Sequence, residues 1–282
     1  MRADLHLHST FSDGSDTPSE LVDRAHEYGC SVIALTDHDS TEGVEEALIR
    51  AQAYGITLIK GVEVSIPVKE LGTFHVLVYL PIGTKTPLEE RFGELRSQRQ
   101  DRNERLVTSL RDSGIEITLE MVEAKAKEGN VARPHFAAVL IDLGVVATMD
   151  EAFDRYLGDT SPFHIEKEGL SIGELLVLVE QSDAFASIAH PLTLRIDRGG
   201  LRKMLYDLKD QGLFGLECHY SRYEPTVRED LVALAKEVEL SPTGGSDYHG
   251  TFKVGLNPGV GEGDLCVPQG YVEHLLERLN MK

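Results

Sequence analysis

The sequence predicts an α/β fold: a distorted (β/α)7 barrel, similar to a TIM barrel that lacks one strand, with an all-helical insertion. Two observations predict it. Short apolar runs alternate with amphipathic helical stretches through most of the 282 residues, and such alternation is typical of a parallel sheet. The apolar runs also carry His, Asp or Glu side chains near their ends, as in barrels that build a site from the loops on one rim.

Apolar periodicity and helix caps define the barrel elements. The first strand is predicted at 3–8, where apolar and polar side chains alternate. Thr17 and Glu20 can form a capping box around Pro18, and this helix ends at Gly29. Further strands are predicted at 32–36, 56–64, 73–80, 184–189, 214–219 and 241–247, the last with weak strand propensity. Further helices are predicted at 43–54, 171–182, 200–211, 225–239 and 269–279.

A long stretch between the fourth and fifth strands interrupts this alternation, because no strand pattern is evident in it. Helices are predicted there at 88–111, 119–127, 134–143 and 150–157. The stretch is far longer than a usual connection, and its apolar content argues against a flexible linker. We therefore predict a discontinuous barrel domain of residues 1–80 and 171–282. The helical insertion, residues 81–170, is predicted to be a lid or substrate-selecting subdomain.

The composition indicates a globular protein that does not bind duplex nucleic acid. Its 47 acidic and 28 basic residues give a formal net charge of −19, whereas duplex binding depends on Lys and Arg side chains that neutralise phosphates. No apolar run reaches the length of a membrane span, and the first strand begins too early to leave room for a signal peptide. The three widely spaced cysteines predict reduced thiols and a cytoplasmic location. Nothing in the sequence predicts the oligomeric state.

The first strand carries the clearest chemical signal. Side chains two apart on a strand share a face, so His6 and His8 leave the same side while Leu5 and Leu7 leave the other. Two neutral imidazoles on one face are a metal-binding arrangement. A single His would more simply be an ordinary strand residue, but the pair, followed by Asp13 in a turn, favours a metal site.

Five further segments place metal-ligand side chains at or within apolar runs. These residues are His38, Glu63, His75, His190, Asp247 and His249. In this pattern the chain resembles, over essentially its full length, the polymerase and histidinol phosphatase (PHP) family of metal-dependent phosphoesterases.

The resemblance implies a site of two to three divalent ions, with Mn, Fe and Zn all open. Family members that bind three ions use nine positions, and each has a counterpart here. The first ion would be held by His6, His8, Glu63 and Asp247. The second would share Glu63 and add His75 and His190. The third would take Asp13, His38 and His249.

Asp37 and Asp39 flank His38, and we predict that they support the metal ligands or transfer a proton during catalysis. Asp37 has a simpler alternative as a capping residue. His219 lies at the end of the sixth strand and His164 in the insertion, and the sequence leaves the roles of both open.

Arg133 and His135 start a predicted helix in the insertion, where backbone amides and the helix dipole favour an anion. Taken alone, they would more simply be a surface Arg and a capping His. PHP phosphatases with a similar insertion carry a comparable Arg-Pro-His segment that binds phosphate. The resemblance therefore implies that Arg133 and His135 bind the substrate.

The resemblance implies a hydrolase in which metal-activated water attacks the phosphorus of a small phosphorylated metabolite. A nucleotide or a nucleoside 3',5'-bisphosphate is the first expectation. Histidinol phosphate and a small cyclic phosphodiester are alternatives. The competing class is an inactive PHP-type module that only binds metal or supports a larger assembly, and the complete ligand set argues against it.

Overall fold

The computed structural model describes residues 1–68, 71–83, 85–126, 131, 133–158, 160–165 and 169–281. The chain divides into two compact units, Met1–Phe92 with Gly169–Lys282 and Gly93–Glu168. The described strands all belong to the first unit, whereas the described secondary structure of the second is helical. The domain boundaries and the lid role proposed from the sequence stay predictions.

Seven strands form one sheet whose spatial order follows the chain. They are β1 (Ala3–Leu7), β2 (Val32–Leu35), β3 (Thr57–Ser65), β4 (His75–Leu80), β5 (Phe185–Ile188), β6 (Gly215–Tyr220) and β7 (Ser241–Gly245). The α-helices of the described residues, numbered in chain order, are α1 (Pro18–Glu27), α2 (Val44–Tyr54), α3 (Pro87–Asp112), α4 (Leu119–Ala126), α5 (Arg133–Asp142), α6 (Met149–Ala152), α7 (Ile172–Gln181), α8 (Arg198–Lys209), α9 (Pro225–Glu237) and α10 (Gln269–Arg278). The predicted α/β barrel of seven strands is confirmed.

The sheet is mixed, so the prediction of a parallel sheet is wrong at one strand, β4. β4 runs antiparallel to both β3 and β5, whereas the other neighbouring pairs are parallel. The link between β3 and β4 is too short for a parallel crossover, which needs a dozen or more residues. Because β4 is reversed, its first residue, His75, pairs with Ser65 at the end of β3. His75 therefore lies at the rim where the parallel strands end.

The barrel closes between β1 and the segment after β7. The amide of Asp247 donates to the carbonyl of His6 at 2.9 Å, and the amide of His8 donates to the carbonyl of Tyr248 at 3.0 Å. Gly245 makes this approach feasible, since a Cβ there would stand 2.4 Å from the Cβ of His6. Close packing against β1 thus requires glycine in β7, and glycine has low strand propensity.

The first helix forms as its caps predict. Thr17 and Glu20 make the reciprocal bonds of a capping box, with Pro18 at the first helical position. Caps of this kind typically contribute about 1 kcal/mol. Leu21 and Val22 on the inner face of α1 are buried in the same apolar cluster as Leu7. Leu5 is instead buried in a second cluster with Ala34 of β2 and Leu77 of β4, and the pairing of β1 with β2 shifts register between Asp4 and Leu7. The prediction that Leu5 and Leu7 share one face is therefore wrong, because regular alternation does not continue through an irregular strand.

The second unit has its own apolar core. Phe136 and Leu140 of α5 are fully buried together with Leu110 of α3 and Val122 of α4. A π-helical turn, Phe153–Leu157, continues α6. Helices were predicted throughout this stretch, and the part of it that the structure describes holds no strand.

Two further findings bear on the expectations from composition. Cys30, Cys218 and Cys266 are all free thiols, the first two of them buried. Within the described ranges, no helix is both long and apolar enough to cross a membrane.

Candidate metal centre

His6 of β1 and His8, just after that strand, meet the carboxylates of Glu63 in β3 and of Asp247, just after β7. His6 and His8 are fully buried, and their Nε2 atoms are 3.1 Å apart. Glu63 Oε2 lies 3.1 Å from Nε2 of His6 and 3.0 Å from Nε2 of His8. Asp247 Oδ1 lies 3.5 Å from both nitrogens. These four ligand atoms lie close enough together to surround one ion.

A second group gathers around Asp13 in the turn after β1. His249 Nε2 is 3.2 Å from Asp13 Oδ1, and His38 Nε2 is 3.7 Å from Asp13 Oδ2. His8 Nδ1 is 3.6 Å from Asp13 Oδ1, so this imidazole lies between the two groups. The half-exposed carboxylate of Asp13 puts this side of the site in reach of solvent.

Glu63 connects these groups to a third. Its Oε1 atom lies 2.9 Å from Nδ1 of His75 and 2.9 Å from Nε2 of His190. Its Oε2 atom lies 3.5 Å from Nδ1 of His38. One buried carboxylate therefore contacts five imidazoles, counting those of His6 and His8. The structure brings all nine predicted ligands together; the division of these residues among individual ions stays a prediction.

Charge at the centre favours bound cations. Burial would raise the pKa of Glu63, but the surrounding imidazoles, His6 first, hold it well below its ordinary value. Burial and the neighbouring His249 lower the pKa of His8 to about 3, so its imidazole is neutral, the form that binds metal. For His6, burial lowers the pKa, yet Glu217, Glu63 and other carboxylates raise it well above its usual value. The buried carboxylates thus need positive charge, from protons or from metal.

The donor set fits transition-metal ions. Imidazole nitrogens mixed with carboxylate oxygens suit Mn, Fe and Zn. His38 Nδ1 is buried and has no hydrogen-bond partner among the described residues, which is costly unless another ligand satisfies it. The backbone is also strained here, since Asp39, His190 and Asp247 have positive φ angles of 51°, 27° and 55°. Non-glycine residues in such conformations cluster at functional sites.

Asp37 supports the turn that carries Asp13. It is buried and accepts bonds from the Ser9 amide at 2.7 Å, the Ser9 hydroxyl at 2.7 Å and the Ser12 hydroxyl at 2.6 Å. Asp39 is also buried, and its amide donates to the carbonyl of Glu63 at 3.0 Å. Neither carboxylate belongs to the converging ligand groups found among the described residues. A catalytic role for either stays a prediction.

Arg133 and His135 lie in the first turn of α5, at the helix start predicted from the sequence. Both side chains are half-buried. Arg133 Nη1 donates to the carbonyl of Leu157 at 3.0 Å, which ties the start of α5 to the end of the π-helical turn. Their role in binding substrate stays a prediction.

The sequence reading missed three residues beside the ligands. Glu217 of β6 contacts His6 and His190, while the Tyr220 hydroxyl donates to Asp247 Oδ2 at 2.9 Å. Lys253 Nζ lies 2.5 Å from the same oxygen. The signal for Glu217 was a carboxylate between Leu216 and Cys218 in a predicted strand. Nothing in the sequence indicated the other two.

The structure also gives the positions of His219 and His164, whose roles the sequence did not predict. His219 lies one residue before the end of β6 and outside the converging groups. Burial and the nearby Arg228 lower its pKa to about 4. Its Nε2 is buried and, within the described part of the chain, has no hydrogen-bond partner. His164 lies in the second unit.

Known proteins resemble the chain over most of its length. The PHP domain family matches residues 4–162. The chain is 34% identical over 257 residues to a 5'-3' exoribonuclease of Haemophilus influenzae, and this match covers 90% of this chain and 93% of that protein. It is 30% identical over 269 residues to a 3',5'-nucleoside bisphosphate phosphatase of Chromobacterium violaceum, with 94% of each protein covered. A solved structure from Bifidobacterium adolescentis, assigned as a metal-dependent phosphoesterase, superimposes with a TM-score of 0.79 at 30% identity and covers 98% of this chain and 96% of its own.

Proposed function

The chain belongs to the PHP domain family and is a metal-dependent phosphoesterase, and from this premise we propose that its substrate is a nucleotide with phosphate on both its 5' and 3' oxygens. A nucleoside 3',5'-bisphosphate is the smallest such molecule. The 5' end of a phosphorylated single-stranded RNA has the same two phosphates, with the second joined to the next nucleotide. Of the two named relatives, one is a 3',5'-nucleoside bisphosphate phosphatase and the other is a 5'-3' exoribonuclease.

The observation that carries the proposal is the convergence of His and carboxylate ligands on Glu63. Two to three divalent ions of Mn, Fe or Zn bound there would activate water and stabilise charge on the phosphoryl oxygens. Glu63 would hold such ions together with the imidazoles that face its two oxygens. A neutral imidazole has one nitrogen lone pair, so His8 would serve one ion, through the Nε2 atom that faces Glu63. Asp37 fixes the turn of Asp13 through the hydroxyls of Ser9 and Ser12.

We assign Arg133 and His135 the second phosphate, the one that is not cleaved. Arg donates to phosphate oxygens in a matching fork, and the start of α5 adds helix-dipole charge. Neither residue is among the metal ligands, so each should affect substrate binding without affecting metal content.

A substrate comparison tests the proposal. Metal-replete enzyme would be offered adenosine 3',5'-bisphosphate, 5'-phosphorylated RNA, 5'-hydroxyl RNA, a small cyclic phosphodiester and histidinol phosphate. We expect the first two to have the highest kcat/KM, with release of phosphate from the first and of 5'-mononucleotides from the second. A higher kcat/KM for histidinol phosphate or the cyclic diester would overturn the proposed substrate.

Arg133→Ala tests the phosphate contact. Loss of a charge-assisted bond should lower kcat/KM by about 10- to 150-fold, since such bonds contribute roughly 1.5–3 kcal/mol. For a contact to the uncleaved phosphate, the change should appear mainly in KM. Arg111→Ala, at an exposed position of α3, is the control and should have wild-type constants. Unchanged constants for Arg133→Ala would mean that the segment only starts a helix.

We also propose that the protein is cytoplasmic and does not act on duplex nucleic acid. The cytoplasmic location rests on the widely spaced, free cysteines. Duplex nucleic acid is an unfavourable substrate for a chain of net charge −19, whereas a short single strand presents fewer phosphates.

A further inference from the structure

Glu217 is a fully buried carboxylate that contacts two predicted metal ligands at once. It lies on β6, and its side chain has no exposed surface. Its Oε1 atom is 2.9 Å from Nδ1 of His6. Its Oε2 atom accepts the backbone amide of His190 at 2.6 Å. His6 and His190 approach Glu63 through opposite carboxylate oxygens, Oε2 and Oε1.

Hydrogen-bond chemistry fixes what Glu217 does to His6. An ionised carboxylate only accepts hydrogen bonds, and one of its oxygens already accepts the amide of His190. The His6 Nδ1 beside the other oxygen must therefore carry a hydrogen. In a neutral imidazole the hydrogen on Nδ1 leaves the lone pair on Nε2, and Nε2 is the atom that faces Glu63, His8 and Asp247.

We propose that Glu217 is a positioning residue of the metal centre: it selects the His6 tautomer that binds metal and ties that ring to the backbone of His190. The inference rests on the metal site of the proposed function. Carboxylate partners that orient a ligating imidazole and raise its basicity are a general feature of metal sites. Here one carboxylate restrains ligands on both sides of Glu63. Loss of Glu217 should therefore weaken more than one ion position.

Glu217→Gln separates this role from simple packing. Gln preserves the shape, but its amide offers one acceptor and one donor, whereas both facing groups of the native contact are N–H donors. Either the His190 amide loses its acceptor or His6 is pushed to the other tautomer, with its hydrogen on Nε2. We expect metal affinity to fall by about 10- to 100-fold. Glu217→Asp keeps both acceptors but withdraws them by one methylene, and it should lose affinity to a smaller extent.

The experiment measures Mn²⁺ and Zn²⁺ affinity of chelator-stripped protein by competition with a metal-binding dye, alongside thermal melting of the stripped form. The control is Cys218→Ala, a buried change at the next position of β6. It should lower the melting temperature and leave metal affinity unchanged. Equal affinity of wild type and Glu217→Gln, with wild type binding metal, would overturn only this inference. A wild-type chain that binds neither ion would overturn the inference and the proposed metal site together.

A spectroscopic test does not depend on how the variants fold. In wild-type protein labelled with ¹⁵N-histidine and loaded with Zn²⁺, the proton of His6 should reside on Nδ1. The same spectrum of the Cys218→Ala control should keep that pattern. A His6 proton on Nε2 in the wild-type spectrum would contradict the inference directly.

Discussion

Two buried carboxylates at the same barrel rim, Glu63 and Asp37, have opposite surroundings. Glu63 is ringed by imidazole nitrogens at 2.9–3.5 Å. Asp37 is ringed by an amide and two hydroxyls at 2.6–2.7 Å. Imidazoles hold the pKa of Glu63 well below its usual range in spite of burial, whereas burial raises the pKa of Asp37 to about 6.

The comparison teaches how burial alone misleads about function. Hydroxyls and amides donate hydrogen bonds and so satisfy a carboxylate by themselves. A neutral imidazole has a nitrogen lone pair as well as an N–H group. Where such lone pairs and a carboxylate face one another, a bound cation satisfies both. We infer that Glu63 binds metal and that Asp37 braces the turn of Asp13. Substitution of Glu by Gln or of Asp by Asn removes one charge while keeping the side-chain shape, and so tests this difference.

Glu63→Gln should have the largest effect. It removes the charge that faces five imidazoles, so metal content at saturating Mn²⁺ should fall and kcat should drop by more than the ~100-fold expected for groups outside the coordination sphere. Metal analysis and steady-state kinetics on the same preparation check this. The matched control, Glu229→Gln at an exposed site on α9, should keep both values.

Asp37→Asn should have a smaller effect. Asn can still accept at one oxygen, and the hydroxyl of Ser9 can rotate to accept from its amide, so the turn should persist with looser geometry. We expect kcat to fall by no more than about 10- to 100-fold and metal content at saturating Mn²⁺ to stay at the wild-type value. Asp39→Asn should behave similarly. If either variant lost metal as fully as Glu63→Gln, the distinction between ligand and brace would be wrong.

The last prediction concerns stability and its pH dependence rather than loss of metal or activity. The pKa of Asp37 is higher in the folded than in the unfolded chain, so its protonation stabilises the fold at low pH. That contribution is lost as the pH rises through about 6. Relative to Asp37→Asn, the wild-type free energy of unfolding should therefore fall between about pH 4 and pH 7, by on the order of 2–3 kcal/mol. Urea unfolding of the metal-stripped proteins measures this, and a difference independent of pH would contradict it.

The fold was predictable except where a strand reverses. Capping at Thr17 is a local signal, and the structure follows it. Alternation predicted that His6 and His8 converge, as they do, but it did not predict the register shift of β1 between Asp4 and Leu7. The reversal of β4 is a property of chain topology. The alternation of strands and helices along the sequence does not indicate the direction of a single strand. The short link before His75 was the available signal, since it leaves no room for a crossover helix.

The candidate site was predictable to the extent that its residues follow strands in a repeated pattern. Glu217 has no motif, because a single Glu in an apolar run does not reveal which ring it touches. Lys253 reaches Asp247 from a loop beyond the strand. Contacts of this kind depend on three-dimensional closure of the barrel, which places Glu217 of β6 against His6 and the segment after β7 beside β1.

Metal content and activity measured together on the purified wild-type protein test the central claim, that the cluster around Glu63 is a working metal centre. Because its ligands compete with chelators for metal, exhaustive chelation should remove two to three transition-metal ions per chain and abolish phosphate release from adenosine 3',5'-bisphosphate. Mn²⁺ should restore both. Full activity in protein that mass spectrometry finds free of metal would contradict the account.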